Sequence, residues 1–283
     1  MLKQGNKTWT KETELNQQWL KDCLNEMGKQ NIIFRSEEQF QFTLSWAIQE
    51  FFATYKVYLE DLTSTIEYNN GDKKRSYTDI LVKKDNGDYV AIELKYKTAN
   101  AIIGNIELLN HGAVDNGRYD YLWDINRLEW LVYGNSKAKQ ENGLISQANN
   151  CRKNPLPNIG LYNYDARIKG EKITGYAIML TNESKYWNFS KQLPAQTSCK
   201  YCGNVHYHDF CIAESDETGK NNINGKGKIQ DWAKNAGGYT KSVCDIWRGR
   251  PIEFIGNYTF NWNSYYKENA KNWEFRYCIM EII

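Results

Sequence analysis

Two runs decide how this chain is read: Tyr77-Thr78-Asp79-Ile80-Leu81-Val82-Lys83 and Tyr89-Val90-Ala91-Ile92-Glu93-Leu94-Lys95-Tyr96, joined by Lys84-Asp85-Asn86-Gly87-Asp88. Both are rich in β-branched and aliphatic residues, and the joining segment carries the Asn/Asp/Gly chemistry of a hairpin turn. In the second run Val90, Ile92 and Leu94 share one face, and Ala91, Glu93 and Lys95 share the other. A two-residue Asn-Gly turn would set Ile80 opposite Glu93 and mix the faces. A three-residue loop, Asp85 to Gly87 with Gly87 left-handed, matches Ile80 to Ile92 and Val82 to Val90. That register sets Asp79 opposite Glu93 and leaves Lys95 on the same face.

These residue types suit one kind of chemistry. Two carboxylates on adjacent strands can share a hard cation such as Mg²⁺, which prefers oxygen ligands and keeps several waters. Such an ion lowers the pKa of a bound water and offsets charge growing on a phosphate oxygen. The Lys95 ammonium could position the attacking water or offset transition-state charge, and the Leu94 carbonyl is a further candidate ligand. An Asp and a Glu-x-Lys on neighbouring strands also occur by chance, as ordinary salt bridging on a strand pair. The apolar-matched register and an acid on the preceding helix favour a site.

That helix begins at Ser36, an N-cap residue, with Gln39 placed for a capping box. Phe40, Leu44, Ala47, Ile48 and Phe51 recur at helical spacing. Glu37 projects onto the same stripe and Glu38 does not. A contact with the helix dipole would explain an acid there, as would a carboxylate aimed into a site. Residues 1–35 read as a helical lead-in. Val57–Glu60 and Ser64–Tyr68 read as strands, Gly104–Gly117 as loop and Tyr119–Tyr133 as a helix. Asn135–Asn158 reads as a polar stretch in which Ser146-Gln147 could open a short helix. Gly175–Thr181 is an apolar core strand. Beyond it the signals weaken until Tyr258–Trp262 and a terminal strand, Phe275–Ile283.

The order of parts resembles the PD-(D/E)xK nuclease superfamily. Ser36-Glu37-Glu38-Gln39-Phe40-Gln41, Thr78-Asp79-Ile80-Leu81-Val82 and Ala91-Ile92-Glu93-Leu94-Lys95-Tyr96-Lys97-Thr98 carry the resemblance. Residues 117–129, Gly175–Asn182 and Phe275-Arg276-Tyr277 are similar to segments of bacterial members. Thr78 stands where the superfamily's name has a proline, a position that varies widely. The resemblance implies an α/β, restriction endonuclease-like core over 36–181: helix, mixed sheet with the Asp79–Lys95 hairpin, helix, strand. Residues 182–283 would be a C-terminal elaboration packed on the same domain. It implies Asp79 and Glu93 as metal ligands with Leu94, Lys95 as catalytic lysine, Glu37 as helix acid, Mg²⁺ or Mn²⁺ as cofactor and DNA as substrate, with a restriction or defence role. One site per chain would favour a homodimer for double-strand cleavage. The alternative is a catalytically silent nucleic-acid-binding or partner-binding module on the same fold.

Bulk properties leave these readings open. The 283 residues suffice for a core without disulfide staples. Net charge is only +2, so any nucleic-acid binding must rest on local basic stripes. A mean hydropathy of -0.72 and no apolar run near a bilayer's span argue against a membrane protein. The polar start, Met1 to Trp9, lacks a secretory h-region, so a cytoplasmic protein with reduced cysteines is expected.

Lys73, Lys74, Arg75 and Lys97 flank the site and could contact phosphates; a solvated turn is the commoner meaning of the first three. Cys199, Cys202, His206, His208 and Cys211 form a soft-ligand cluster that could hold structural Zn²⁺. With a single CxxC and no clean second half, free thiols are the stronger reading. Asp120, Asp124 and Arg127 share a helix face, which reads as a structural ion-pair network. His111 reads as a loop or packing residue, and Asn224-Gly225-Lys226-Gly227-Lys228 as a turn.

Overall fold

In the computed structural model the hairpin lies inside the sheet. β2 (Lys73–Lys83) and β3 (Tyr89–Lys97) run antiparallel, with Ile80 facing Ile92 and Val82 facing Val90. This is the register that apolar matching demands. Lys84 donates its N–H to the Asp88 carbonyl at 2.9 Å, and Gly87 donates to the Lys84 carbonyl at 3.1 Å. Asp85-Asn86-Gly87 is therefore a three-residue loop, and Gly87 takes a φ of 94° that only glycine adopts without cost. The structure describes residues 9–112, 114–149, 157–188, 212, 222–223, 254–268 and 273–283.

Five further strands complete a seven-stranded mixed sheet. These are β1 (Lys56–Tyr68), β6 (Ile159–Tyr164), β7 (Ile173–Thr181), β10 (Trp262–Glu268) and β11 (Trp273–Ile282), in the order β10-β11-β7-β3-β2-β1-β6. β3 and β7 pair in parallel, and the other neighbours are antiparallel. Two small two-stranded sheets stand apart: the hairpin of β4 (Ala101–Ile103) with β5 (Ile106–Leu108), and the pair β8 (Asn222–Ile223) with β9 (Tyr258–Thr259).

Period-two alternation assigns the two faces. Val90, Ile92, Leu94 and Tyr96 share one apolar cluster with Trp19, Leu20 and Leu24 of α1 (Gln17–Lys29) and Phe40, Leu44 and Ile48 of α2 (Glu37–Phe51). Tyr89 and Ala91 meet Leu122, Ile125 and Leu128 of α3 (Val114–Tyr133) on the opposite face. A sheet covered on both sides is what the nearly unbroken apolar character of β3 and β7 requires. Gly175 lets α3 come close, since a Cβ there would lie 3.1 Å from that of Leu128. The fold is thus α/β, with helices on both faces of a mixed sheet. No helix among the described residues is long and apolar enough to cross a membrane.

Several local expectations are corrected. Val57–Glu60 and Ser64–Tyr68 are parts of the single strand β1, interrupted by a bulge between Leu62 and Ser64. Lys73, Lys74 and Arg75 belong to β2 rather than to a turn, pairing across the ladder with Glu67, Ile66 and Thr65. Asn135–Asn149 is a full helix, α4, and it packs Ile145 with Trp130, Ile159 and Tyr162. The stretch 104–117 contains β5 and the first turn of α3. The terminal strand stands as expected, and β10 and β11 extend the same sheet as the hairpin. The Cys199–Cys211 cluster and the Asn224–Lys228 turn lie outside the described residues.

Candidate active site

The site forms where β2 and β3 stop pairing. The ladder between them runs from Lys83/Tyr89 to Ile80/Ile92, one residue short of Asp79 and Glu93. Beyond that point side chains take over the backbone's hydrogen bonds. The Asp79 carboxylate accepts the Leu94 N–H at 2.6 Å, and the Asp79 carbonyl accepts the Gln41 amide at 2.6 Å. Gln41 also donates to Glu60 at 2.8 Å. Glu60 adopts a φ of 48° where β1 runs alongside, an unusual conformation for a non-glycine residue. The register reading therefore holds up to the last apolar pair, and the acids sit just past it.

Glu37 arrives from the first turn of α2. Ser36 caps that helix by accepting the Gln39 N–H at 3.2 Å, and the Gln39 side chain reaches back to the Arg35 N–H at 2.7 Å. The cap fixes Glu37 against β3, where its carboxylate accepts the Tyr96 N–H at 2.6 Å and lies 3.6 Å from Lys95 Nζ. Lys95 also pairs with Asp124 Oδ2 at 3.2 Å. Glu37, Asp79, Glu93 and Lys95, expected together from sequence, are brought together with the Leu94 backbone between the last two.

α3 supplies what sequence reasoning placed elsewhere. Asp124 and Arg127 do form an ion pair, at 3.5 Å, but both reach across to the strands. Arg127 Nη2 lies 3.0 Å from Glu93 Oε1 and donates to the Tyr77 carbonyl. The helix-face stripe Asp120, Asp124, Arg127 was the available signal. Its meaning depended on which way the face turned, and periodicity does not fix that.

Electrostatically the cluster is crowded with carboxylates. Burial, reinforced by Asp124, pushes the Asp79 carboxyl up to about 7, against the pull of the Leu94 N–H, Arg127 and Lys95. Burial also raises Glu93 well above the usual carboxylate range; Arg127 opposes this, and Asp79 and Asp124 add to it. Glu37 is raised by burial despite Lys95. Burial works against the Lys95 charge, but Asp124, Glu37 and Asp79 outweigh it and hold the ammonium protonated. Glu93 is 2% exposed, and its Oε2 has no hydrogen-bond partner. A buried carboxylate oxygen without a partner is costly.

The donor set fits a hard divalent cation. Among the described residues no three His, Cys, Asp or Glu side chains group as a metal site. Mg²⁺ requires less, one or two carboxylates completed by waters and substrate oxygens. Asp79, Glu93 and the Leu94 carbonyl could provide that.

The cluster opens into a cavity of about 410 Å³. Asp79, Lys95, Asp124 and Arg127 line it together with Lys74, Arg75 and Trp123. Lys74 Nζ sits 5.5 Å from the centre of the Trp123 ring, and Tyr119 stacks beside that ring at 6.3 Å. Of the other basic candidates, Lys73 pairs with Glu67 at 3.2 Å on the surface, and Lys97 lies half-buried at the end of β3. His111 packs in a loop, its Nδ1 accepting the Thr98 N–H at 3.0 Å.

No family model matches the chain, and neither curated proteins nor solved structures yield a match.

Proposed function

We propose that the chain is a Mg²⁺- or Mn²⁺-dependent endonuclease that hydrolyses DNA phosphodiester bonds on a restriction endonuclease-like core. The observation that carries this reading is the meeting of Asp79, Glu93 and Lys95 where β2 and β3 part, with Glu93 Oε2 buried and unpartnered and with Asp79 and Lys95 lining a cavity. The antiparallel run β1–β2–β3 after α2, followed after β4, β5, α3, α4 and β6 by β7 parallel to β3, supports it as well.

In this reading Asp79, Glu93 and the Leu94 carbonyl hold the cation. When bound, it supplies a water activated for attack and charge compensation at phosphorus. Asp79 meets the Leu94 N–H, which ties the two ligand strands together and fixes the distance between their acids. Lys95, kept protonated by Asp124 and Glu37, orients the attacking water and offsets charge on the phosphoryl oxygens. Glu37 is a positioning residue, holding β3 through the Tyr96 N–H. Lys74 and Arg75 meet phosphates along the cavity, and Trp123 offers a ring face to a base.

Plasmid cleavage with Mg²⁺ tests this. Asp79→Ala should reduce cleavage to background, and Lys95→Ala should reduce it on the order of a hundred- to thousandfold. Equal activity in all three proteins would remove the assignment. Parallel RNA substrates separate DNA from RNA, and sedimentation reads whether a homodimer forms. The second reading, a catalytically silent nucleic-acid-binding module, draws on the Arg127 guanidinium that already neutralises Glu93. It predicts DNA binding without cleavage under any divalent ion.

A further inference from the structure

Glu93 Oε1 is the shortest ion-pair partner of Arg127, at 3.0 Å. The same guanidinium reaches Asp124 at 3.5 Å and the Tyr77 carbonyl. Arg127 is thus a positive charge seated among the carboxylates that would hold a metal. It is also part of the cavity wall. The remaining Glu93 oxygen, Oε2, is buried without a partner. One cation therefore compensates this carboxylate at only one of its two oxygens.

From this geometry we infer that Arg127 is a resident counter-cation that competes with the divalent ion for Glu93 and turns to the substrate's phosphate once displaced. The inference rests on the metal-dependent reading of the site. Two cations cannot both draw on Glu93 at full strength, because each gains its energy from the same carboxylate charge and they repel one another at close range. Arg127 therefore weakens metal binding in the free protein. Its released fork of N–H donors suits a phosphate, which a guanidinium grips with two parallel hydrogen bonds. The arrangement keeps the buried acids compensated when no substrate is present and places a phosphate-binding group on the wall that the substrate must reach. In this role Arg127 acts on the metal through Glu93.

The sign of the effect on metal affinity separates this role from a structural one. A structural arginine, once removed, would loosen the acids and weaken the site. A competing arginine, once removed, would tighten it.

The test is Mn²⁺ binding without substrate, followed by calorimetry and by the paramagnetic signal of the free ion, on wild type, Arg127→Met, Arg127→Lys and Glu93→Gln. Arg127→Met should bind Mn²⁺ about tenfold or more tightly than wild type, a change of about 1.4 kcal/mol. Arg127→Lys, whose ammonium cannot bridge Glu93, Asp124 and the Tyr77 carbonyl together, should fall between them, and it carries the test if the methionine variant does not fold. Unchanged or weaker binding in the Arg127 variants, with binding still abolished by Glu93→Gln, would overturn the competition and leave the metal site standing. No Mn²⁺ binding in any of the proteins, or binding indifferent to Glu93→Gln, would overturn the metal site and the competition together.

Discussion

Helix α3 contributes Arg127 to one carboxylate–cation pair, with Glu93, and Glu129 to another, with Lys137, and the two are built to opposite ends. Glu129, fully buried, pairs with Lys137 at 2.6 Å and accepts from the Ile255 and Gly256 N–H groups and the Tyr258 hydroxyl, each at 2.8 Å. Both of its oxygens are engaged. The site fastens the 254–258 segment to α3 and α4. Glu93, nearly as buried, has Arg127 on one oxygen and nothing on the other, with Asp79 and Asp124 adding like charge. A buried charge stabilises a fold only when its hydrogen-bonding capacity is met. Glu129 meets that condition, and Glu93 is left short of it. On the proposed metal-dependent reading, the difference separates a clasp from a binding site.

The comparison can be broken first through activity. Asp79→Ala and Lys95→Ala should abolish or nearly abolish Mg²⁺-dependent DNA cleavage, whereas Lys137→Met, assayed below its melting temperature, should retain most of it. Loss of cleavage in Lys137→Met with the fold intact would erase the distinction.

Stability should show the reverse order. Lys137→Met leaves Glu129 as a buried carboxylate with neutral donors only, and should cost about 3–5 kcal/mol in denaturant unfolding. Glu93→Gln removes a charge that burial already disfavours, so its change should stay within about 1 kcal/mol. A large loss in Glu93→Gln would mean that this cluster, too, is a structural clasp.

The pH dependence sharpens the contrast further. The Asp79 carboxyl is raised to about 7 in the fold, against roughly 3.9 when unfolded. The folded state therefore holds this proton more tightly. The resulting stability is fully present below about pH 4 and is lost as pH rises through about 7. Metal-free wild type should lose stability between about pH 5.5 and pH 8 relative to Asp79→Asn, which lacks this proton. Added Mg²⁺ should raise the wild-type melting temperature more at the higher pH, where the carboxylate is free to ligate. Parallel pH profiles for wild type and Asp79→Asn would contradict the assignment of the raised carboxyl.

Much of the fold was legible where two local signals agreed. The β2–β3 register followed from apolar pairing and turn chemistry together, and the cap at Ser36 placed Glu37 correctly. β1 was harder, because the Leu62/Ser64 bulge and the turned-out Glu60 break its alternation. α4 was lost because its polar sequence shows little apolar periodicity, although Ile145 among the described residues is buried. The candidate site was legible on the strands and not on the helix. Asp79, Glu93 and Lys95 are tied to one another by register, a local property. Asp124 and Arg127 reach them through the packing of α3 on the sheet, close at Gly175, a tertiary property. Gln41, one position from Phe40 on the buried side of α2, was a polar residue on an interior face, and that was its only signal.

The central claim is that the acids at the mouth of β2 and β3 hold a divalent cation. Crystals of the full chain soaked in Mn²⁺ and measured at a wavelength where manganese scatters anomalously test it most directly. The account predicts one anomalous peak ligated by Asp79 and Glu93, with the Arg127 guanidinium moved off Glu93. An absent peak, with Arg127 still seated on Glu93 at saturating Mn²⁺, would contradict it.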